Sequence, residues 1–283
     1  LGQGISNGVG MALALKKYCQ ENKLKRTPKV YVFCGDGCLM EGISQEAISL
    51  AGHLKLDNLI LVYDNNKISI DGSTDLAFSD DTNLRFQSVN WSVLNGKGHD
   101  HKNINQLFKK AQNSKKPILM NFKTIIGFGS PNKSAKASSH GSPLGKDEIL
   151  LTKQKLKWNA KPFTIPSNLL SAWRKSANRN QKIYTQSKKS LKIKNSIKKF
   201  ENQMDKFFDI IASDFKSFDT PQATRKSSEG VLNYLHTSMP ILGGSADLTG
   251  SNNTKGKGMD VLNQNNFLGQ YIHYGVREHG MAA

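Results

Sequence analysis

Apolar residues along this chain follow two patterns, short unbroken runs and longer stretches with a helical beat. The runs KVYVFC (29–34), LILVY (59–63) and PILMNFKTI (117–125) are nearly continuous and end in turn residues. Such runs predict strands covered on both faces, as in a parallel sheet. Between the first two lies SQEAISLAGHL (44–54), which has helical spacing, with Ser44 placed to cap and Glu46 in the first turn. The unit reads strand, helix, parallel strand. A helix rich in small residues is predicted over 4–19, where Gly4, Ser6, Gly8, Gly10, Ala12 and Ala14 permit close packing. So many glycines cost helix propensity, so tight contact has to compensate. KNINQLFKKAQNS (102–114) has helical spacing as well. The segment GFGSPNKSAKASSHGSPLG (127–145) is too rich in Gly, Ser and Pro to be regular, and a loop of that length inside a domain is usually functional or disordered.

The second half repeats the α/β alternation. Ile197, Phe200, Met204, Phe207, Phe208, Ile211 and Phe215 follow a helical period, and ATRKSSEGVLNYLHTSM (223–239) predicts a further amphipathic helix. PILGGS (240–245) and YIHYG (271–275) read as short strands flanking the loop ADLTGSNNTKGKG (246–258), and VREHGMAA (276–283) reads as a helix start. The fold class is therefore α/β: a parallel sheet with helices on both faces, then the start of a second α/β domain of the same type. The expected division is 1–195, including a basic connecting arm from about 151, and 196–283.

Composition changes this picture little. With 283 residues there is room for two domains with real cores. The chain opens on LGQGISNGVG without a methionine and stops in a continuing helix, so an excerpt of a longer protein is expected. No apolar run of about eighteen residues occurs, so no membrane span is expected. Cys19, Cys34 and Cys38 lack the further Cys or His that a four-ligand site would need, and they read as small buried thiols in a reducing, cytoplasmic setting. The net charge of +18 invites a nucleic-acid partner. Residues 151–215 carry +11 of it, as 13 Lys and 2 Arg against Glu201, Asp205, Asp209 and Asp214, with few aromatics for base stacking. A solvated lysine-rich arm is the default reading, and no specific nucleic acid is expected.

The candidate chemistry sits at the ends of the first two strands. KVYVFC runs into Gly35-Asp36-Gly37, and 27 residues further on LILVY-Asp64 runs into Asn65-Asn66. An isolated Asp-Gly is most often a turn, and Asp-Asn-Asn is ordinary turn composition. Together, at the carboxyl ends of strands one βαβ unit can bring side by side, they mark where an open α/β sheet holds its ligand. A carboxylate, an amide oxygen and a nearby carbonyl suit a small hard cation that also binds phosphate. Glycines there let a diphosphate approach the backbone. The spacing is similar to the thiamine diphosphate fingerprint.

Eight stretches in order resemble the transketolase family: LGQGISNGVGMA, GDGCLMEGISQEAISLAGHLKLDNLI, YDNNKISIDG, IGFGS, HGSPLG, TRKSSE, GGSADLTGSN and YIHYGVREHGM. The resemblance implies a homodimeric enzyme that moves a two-carbon ketol unit between sugar phosphates, with thiamine diphosphate bound at the dimer interface. It implies that residues 1–195 hold the diphosphate and 196–283 begin the pyrimidine-binding domain. By the same resemblance Asp36, Asn66 and the backbone oxygen of Ile68 hold Mg²⁺, for which Ca²⁺ or Mn²⁺ can substitute. Gly35 lies against the diphosphate, Ile126 packs beside the cofactor and Leu1 lies near the pyrimidine ring. Glu278 is implied as the catalytic acid that hydrogen-bonds the pyrimidine nitrogen, and is expected to be largely buried. His140 is implied to contact diphosphate and donor sugar, Arg225 and Ser251 the substrate phosphate, and Asp247 the pyrimidine side. Glu41 and Glu46 match an acidic cluster coupling the two cofactor sites.

The family's early histidines would precede Leu1, and its C-terminal domain would follow Ala283, so the piece alone is expected to be inactive. Gly250 stands where many relatives have proline. YDNNKISIDG and HGSPLG favour transketolase over deoxyxylulose-phosphate synthase, whereas dihydroxyacetone synthase stays open. A non-catalytic basic interaction module is the alternative of another class.

Overall fold

The computed structural model describes residues 1–181, 184–185, 201–202, 204–205, 208–209 and 220–283. Most of the helix expected over 196–215 lies outside the described residues. The first unit runs α1 (Gln3–Glu21), β1 (Val30–Gly35), α2 (Asp36–Met40), α3 (Gly42–His53), β2 (Leu59–Asn65), α4 (Thr82–Ser88), β3 (Ser92–Lys97), α5 (His101–Ala111), β4 (Ile118–Lys123), α6 (Lys146–Lys155) and α7 (Ser167–Asn178). After the undescribed stretch come α8 (Thr224–Ser238), β5 (Gly243–Ser245), α9 (Thr249–Asn252), β6 (Tyr271–His273) and α10 (Glu278–Ala282).

Strands β1 to β4 form one parallel sheet in the order β1-β2-β4-β3, and β5 pairs in parallel with β6. Strand β2 shows why the apolar runs are unbroken. Leu59, Leu61 and Tyr63 enter the core shared with α1 and α3, while Ile60 and Val62 enter the opposite core against α5. All five are buried. The small residues of α1 and α3 serve close approach. A Cβ on Gly8 would stand 2.2 Å from Val32, and one on Gly52 would stand 1.7 Å from the Val89 carbonyl oxygen. Leu262, Phe267 and Ile272 from the second unit join the α1/α3 core, so a continuous apolar interior links the two units.

Two expectations need correction. Helix α3 begins at Gly42, and Ser44 does not cap it. Ser44 is buried inside the first turn and its Oγ donates to the Cys38 carbonyl at 2.6 Å, because the short helix α2 lays its end over that turn. Strand β1 is covered on one face only, since Tyr31 and Phe33 are 41 % and 74 % exposed on the other. Among the described residues, no helix is long and apolar enough to cross a membrane.

Candidate active site at the strand tips

The parallel register places Gly35 of β1 beside Asp64 of β2, so the two polar tips stand side by side. Asp36 opens α2 and is only 8 % exposed. The Tyr63 hydroxyl donates to its Oδ1 at 2.5 Å, while Oδ2 is buried without a hydrogen-bond partner. Burial pushes the Asp36 carboxyl up. The Tyr63 hydroxyl and the backbone amides of Lys67, Asp36 and Asn66 oppose that shift. Two of those amides, of Asn66 and Lys67, belong to the turn after β2. Within that turn Asn66 Oδ1 accepts the Ile68 N–H at 2.9 Å, which uses one of its two lone pairs. A Cβ on Gly35 would meet nothing within 4 Å, so the backbone there faces open space.

A polar cavity of about 560 Å³ opens at this end of the sheet, lined among others by Asp36, Tyr63, Asn65, Lys67, Asn121 and Lys123. Four asparagines build one wall. Asn65 Nδ2 donates to Asn121 at 2.9 Å, Asn121 Nδ2 to Asn83 at 2.9 Å, and Asn83 Nδ2 to Asn95 at 3.0 Å. The chain of amides leaves Asn65 Oδ1 buried with no partner. Two bare acceptors, from Asp36 and Asn65, therefore border one cavity. Leaving a buried acceptor unpaired costs about 1–3 kcal/mol, so such a site favours a cation or a hydrogen-bond donor. A divalent cation would favour the charged form of Asp36, reversing the effect of burial. The set Asp36, Asn66 and the Ile68 carbonyl consists of hard oxygens and fits Mg²⁺ or Ca²⁺. Sequence reasoning missed the asparagine chain, because its members come from β2, β4, α4 and β3.

The remaining candidates fall into two groups. On the first sheet, Ile126 is half-buried in the loop after β4, and its carbonyl accepts the Ala135 N–H at 2.9 Å. His140 is exposed further along that loop. Leu1 is exposed, and it lies against Gly37, where a Cβ would stand 3.3 Å from its side chain. On the second unit, Asp247 is exposed after β5 with φ 61°, Ser251 is exposed in α9, and Arg225 is exposed at the start of α8.

Glu278 departs from expectation. It is exposed at the first position of α10, whereas a largely buried carboxyl was expected. Among the described residues α10 rests on α3 by its other side, and nothing folds over Glu278. Glu46 Oε2 accepts the Gly280 N–H at 2.6 Å and Oε1 lies 3.4 Å from His279 Nδ1, while Arg277 donates to Ser49 at 2.9 Å. Glu46 is thus engaged within its own chain, and Glu41 is half-buried just before α3.

A parallel α/β sheet with polar oxygens and an open glycine at its carboxyl edge defines the class of open α/β proteins that hold a ligand at their strand tips. Comparison with known proteins narrows that class. Residues 1–215 match the family described as transketolase, thiamine diphosphate binding domain, and the chain belongs to that family. It is 42 % identical over 295 residues to a transketolase of Rhodobacter capsulatus, a match that covers 100 % of this chain and 44 % of that protein. A transketolase of Nostoc sp. is 41 % identical over 303 residues, covering 100 % of this chain and 45 % of the relative. Among solved structures, transketolase from Leishmania mexicana superposes with a TM-score of 0.86 at 34 % identity, over 99 % of this chain and 44 % of that one. Transketolase of Pichia stipitis in complex with sedoheptulose-7-phosphate superposes with a TM-score of 0.88 at 38 % identity, over 99 % of this chain and 45 % of that one. The chain thus spans less than half the length of these relatives.

Proposed function

We propose that this chain is the cofactor-holding portion of a transketolase, which transfers a two-carbon ketol unit from a ketose phosphate to an aldose phosphate. The observation that carries the reading is the bare, buried Oδ2 of Asp36, held at the tip of β1 by Tyr63 and met by the turn after β2. Asp36, Asn66 and the Ile68 carbonyl would hold the divalent cation, Mg²⁺ in the first instance, and Gly35 would admit the diphosphate. Thiamine diphosphate, when bound, supplies the carbon nucleophile and electron sink that the transfer needs. Ile126 would give an apolar wall to the cofactor, and Leu1 and Asp247 would border its pyrimidine side. His140 would donate hydrogen bonds to diphosphate and donor-sugar oxygens. Arg225 and Ser251 would grip the substrate phosphate, the guanidinium pairing two oxygens at once. Glu278 would hold a proton at the pyrimidine nitrogen.

Within one chain Asp36 opens α2 and Glu278 opens α10, and no hydrogen bond joins them. The exposure of Glu278, together with a bare Asp36 oxygen beside an open cavity, supports a site completed by a second subunit, with residues 1–195 of one chain facing 196–283 of the other. Calorimetry on the full-length protein tests the cation site. Asp36→Ala should abolish Mg²⁺-dependent binding of thiamine diphosphate, and binding retained at wild-type affinity would refute the assignment.

A further inference from the structure

The loop between β4 and α6 carries Ile126 and His140, and one buried carboxylate outside the proposed chemistry holds its shape. Glu148, in the first turn of α6, is 7 % exposed. Its Oε1 accepts the Ser130 hydroxyl and the Asn132 backbone N–H, the latter at 2.8 Å, and its Oε2 accepts Asn132 Nδ2 at 2.9 Å. All these donors are neutral and all come from the loop. None of the ion pairs among the described residues includes Glu148. The Ser130 hydroxyl, followed by the Asn132 donors, holds the carboxyl down at about 2, so it is charged throughout the working range of an enzyme.

The clamp is linked to both functional positions. Ser130 Oγ accepts the Lys133 N–H at 3.0 Å, and the Lys133 carbonyl accepts the Ser139 hydroxyl at 2.5 Å. Ser139 directly precedes His140, whose own N–H closes onto the Ala137 carbonyl at 2.8 Å. The Ile126 carbonyl is tied to the far limb by the Ala135 N–H. Gly127, at φ +62°, lets the two limbs touch, since a Cβ there would stand 2.9 Å from Ser139 Oγ.

We propose that Glu148 is a positioning residue: by clamping the turn at 130–133 it sets where His140 and Ile126 meet the cofactor and the donor sugar. The inference rests on the reading of those two residues given above. A buried anion paired with neutral donors from one loop favours a single loop conformation, which is what a site on a long loop needs.

The test uses the full-length protein and its Glu148→Gln and Asn132→Ala variants. Thiamine diphosphate affinity is measured by calorimetry, donor KM and kcat by turnover, and folding by thermal melting. Glu148→Gln turns an NH₂ toward groups that donate, and Asn132→Ala removes one donor from an exposed position with little risk to the fold. Each variant should weaken cofactor affinity and raise donor KM by about three- to tenfold, the worth of one hydrogen bond. The change in kcat should be smaller, and Asn132→Ala should melt close to the wild type. Glu148→Gln failing to fold would still support the clamp if Asn132→Ala showed the KM shift. Variants that only melt earlier, with wild-type KM and affinity, would overturn it. A wild type that binds no thiamine diphosphate would sink the cofactor reading and the inference together, whereas wild-type binding matched by both variants sinks only the clamp.

Discussion

Asp36 and Glu148 are both buried carboxyls, and their partners send them in opposite directions. For Asp36 burial outweighs the Tyr63 hydroxyl and the nearby backbone amides, so its carboxyl rises. Glu148 has the Ser130 hydroxyl and the Asn132 N–H on one oxygen and the Asn132 side-chain amide on the other, so hydrogen bonding wins and it falls to about 2 from an ordinary 4.5. A folded value below the unfolded one stabilises the native state fully above the unfolded value, and that contribution fades as pH drops toward the folded one. The margin by which the wild type out-melts Glu148→Gln should therefore narrow between about pH 4.5 and about pH 2 and stay constant above that window. A margin independent of pH would contradict the hydrogen-bonded carboxylate. Asp36 was legible from its neighbours in sequence. Glu148 was not, because its partners lie 16 and 18 residues away across a loop whose path only the structure gives. Glu278 was legible only through its family motif, and its exposure could not be read, because burial depends on what packs over a side chain.

At the level of elements, glycine inside a helix separates propensity from packing. Replacing an exposed helical glycine by alanine gains about 0.5–1 kcal/mol, whereas forcing a methyl into a filled space costs about 1–3 kcal/mol. Gly10 of α1 is exposed with nothing within 4 Å of a built Cβ, while Gly52 of α3 lies against the Val89 carbonyl. Thermal melts should show Gly10→Ala raising stability and Gly52→Ala lowering it, in spite of the same change in helix propensity. Equal shifts would mean that α3 does not pack on the turn before β3 as described. The apolar runs of β2 and β4 were plain in the sequence because both faces of those strands are covered, whereas β1 keeps its apolar run although Tyr31 and Phe33 are exposed on one face. Strand β3 was missed. No position of its SVLNGK is fully buried at the sheet's edge, and only two of its residues have apolar side chains, so no apolar run marks it. The start of α3 was misplaced because a serine that looks like a cap is used by a carbonyl from α2.

For the whole molecule, the proposed site predicts complementation between defective subunits. Asp36→Ala and Glu278→Ala full-length proteins should each be folded and nearly inactive. If each site takes Asp36 from one subunit and Glu278 from the other, a mixed dimer keeps one intact site of its two. Random pairing of equal amounts then restores about a quarter of wild-type turnover, as two-fold symmetry requires. A mixture with no recovered activity, after subunit exchange has been shown by mass, would place both residues in a site within one chain.

The shared interior of Leu262, Phe267 and Ile272 with Ile5, Val9 and Leu59 has a mechanical consequence. Lys17 donates to the carbonyls of Leu268 and Gly269, and the Gln20 side chain accepts the Phe267 N–H, so residues 267–269 are stitched to the C-terminal end of the first helix. These contacts, all among the described residues, join the halves at points away from the connection between Asn178 and Thr224. A nick there should leave a two-piece complex that stays assembled, and the two pieces could be expressed as separate genes and still find each other.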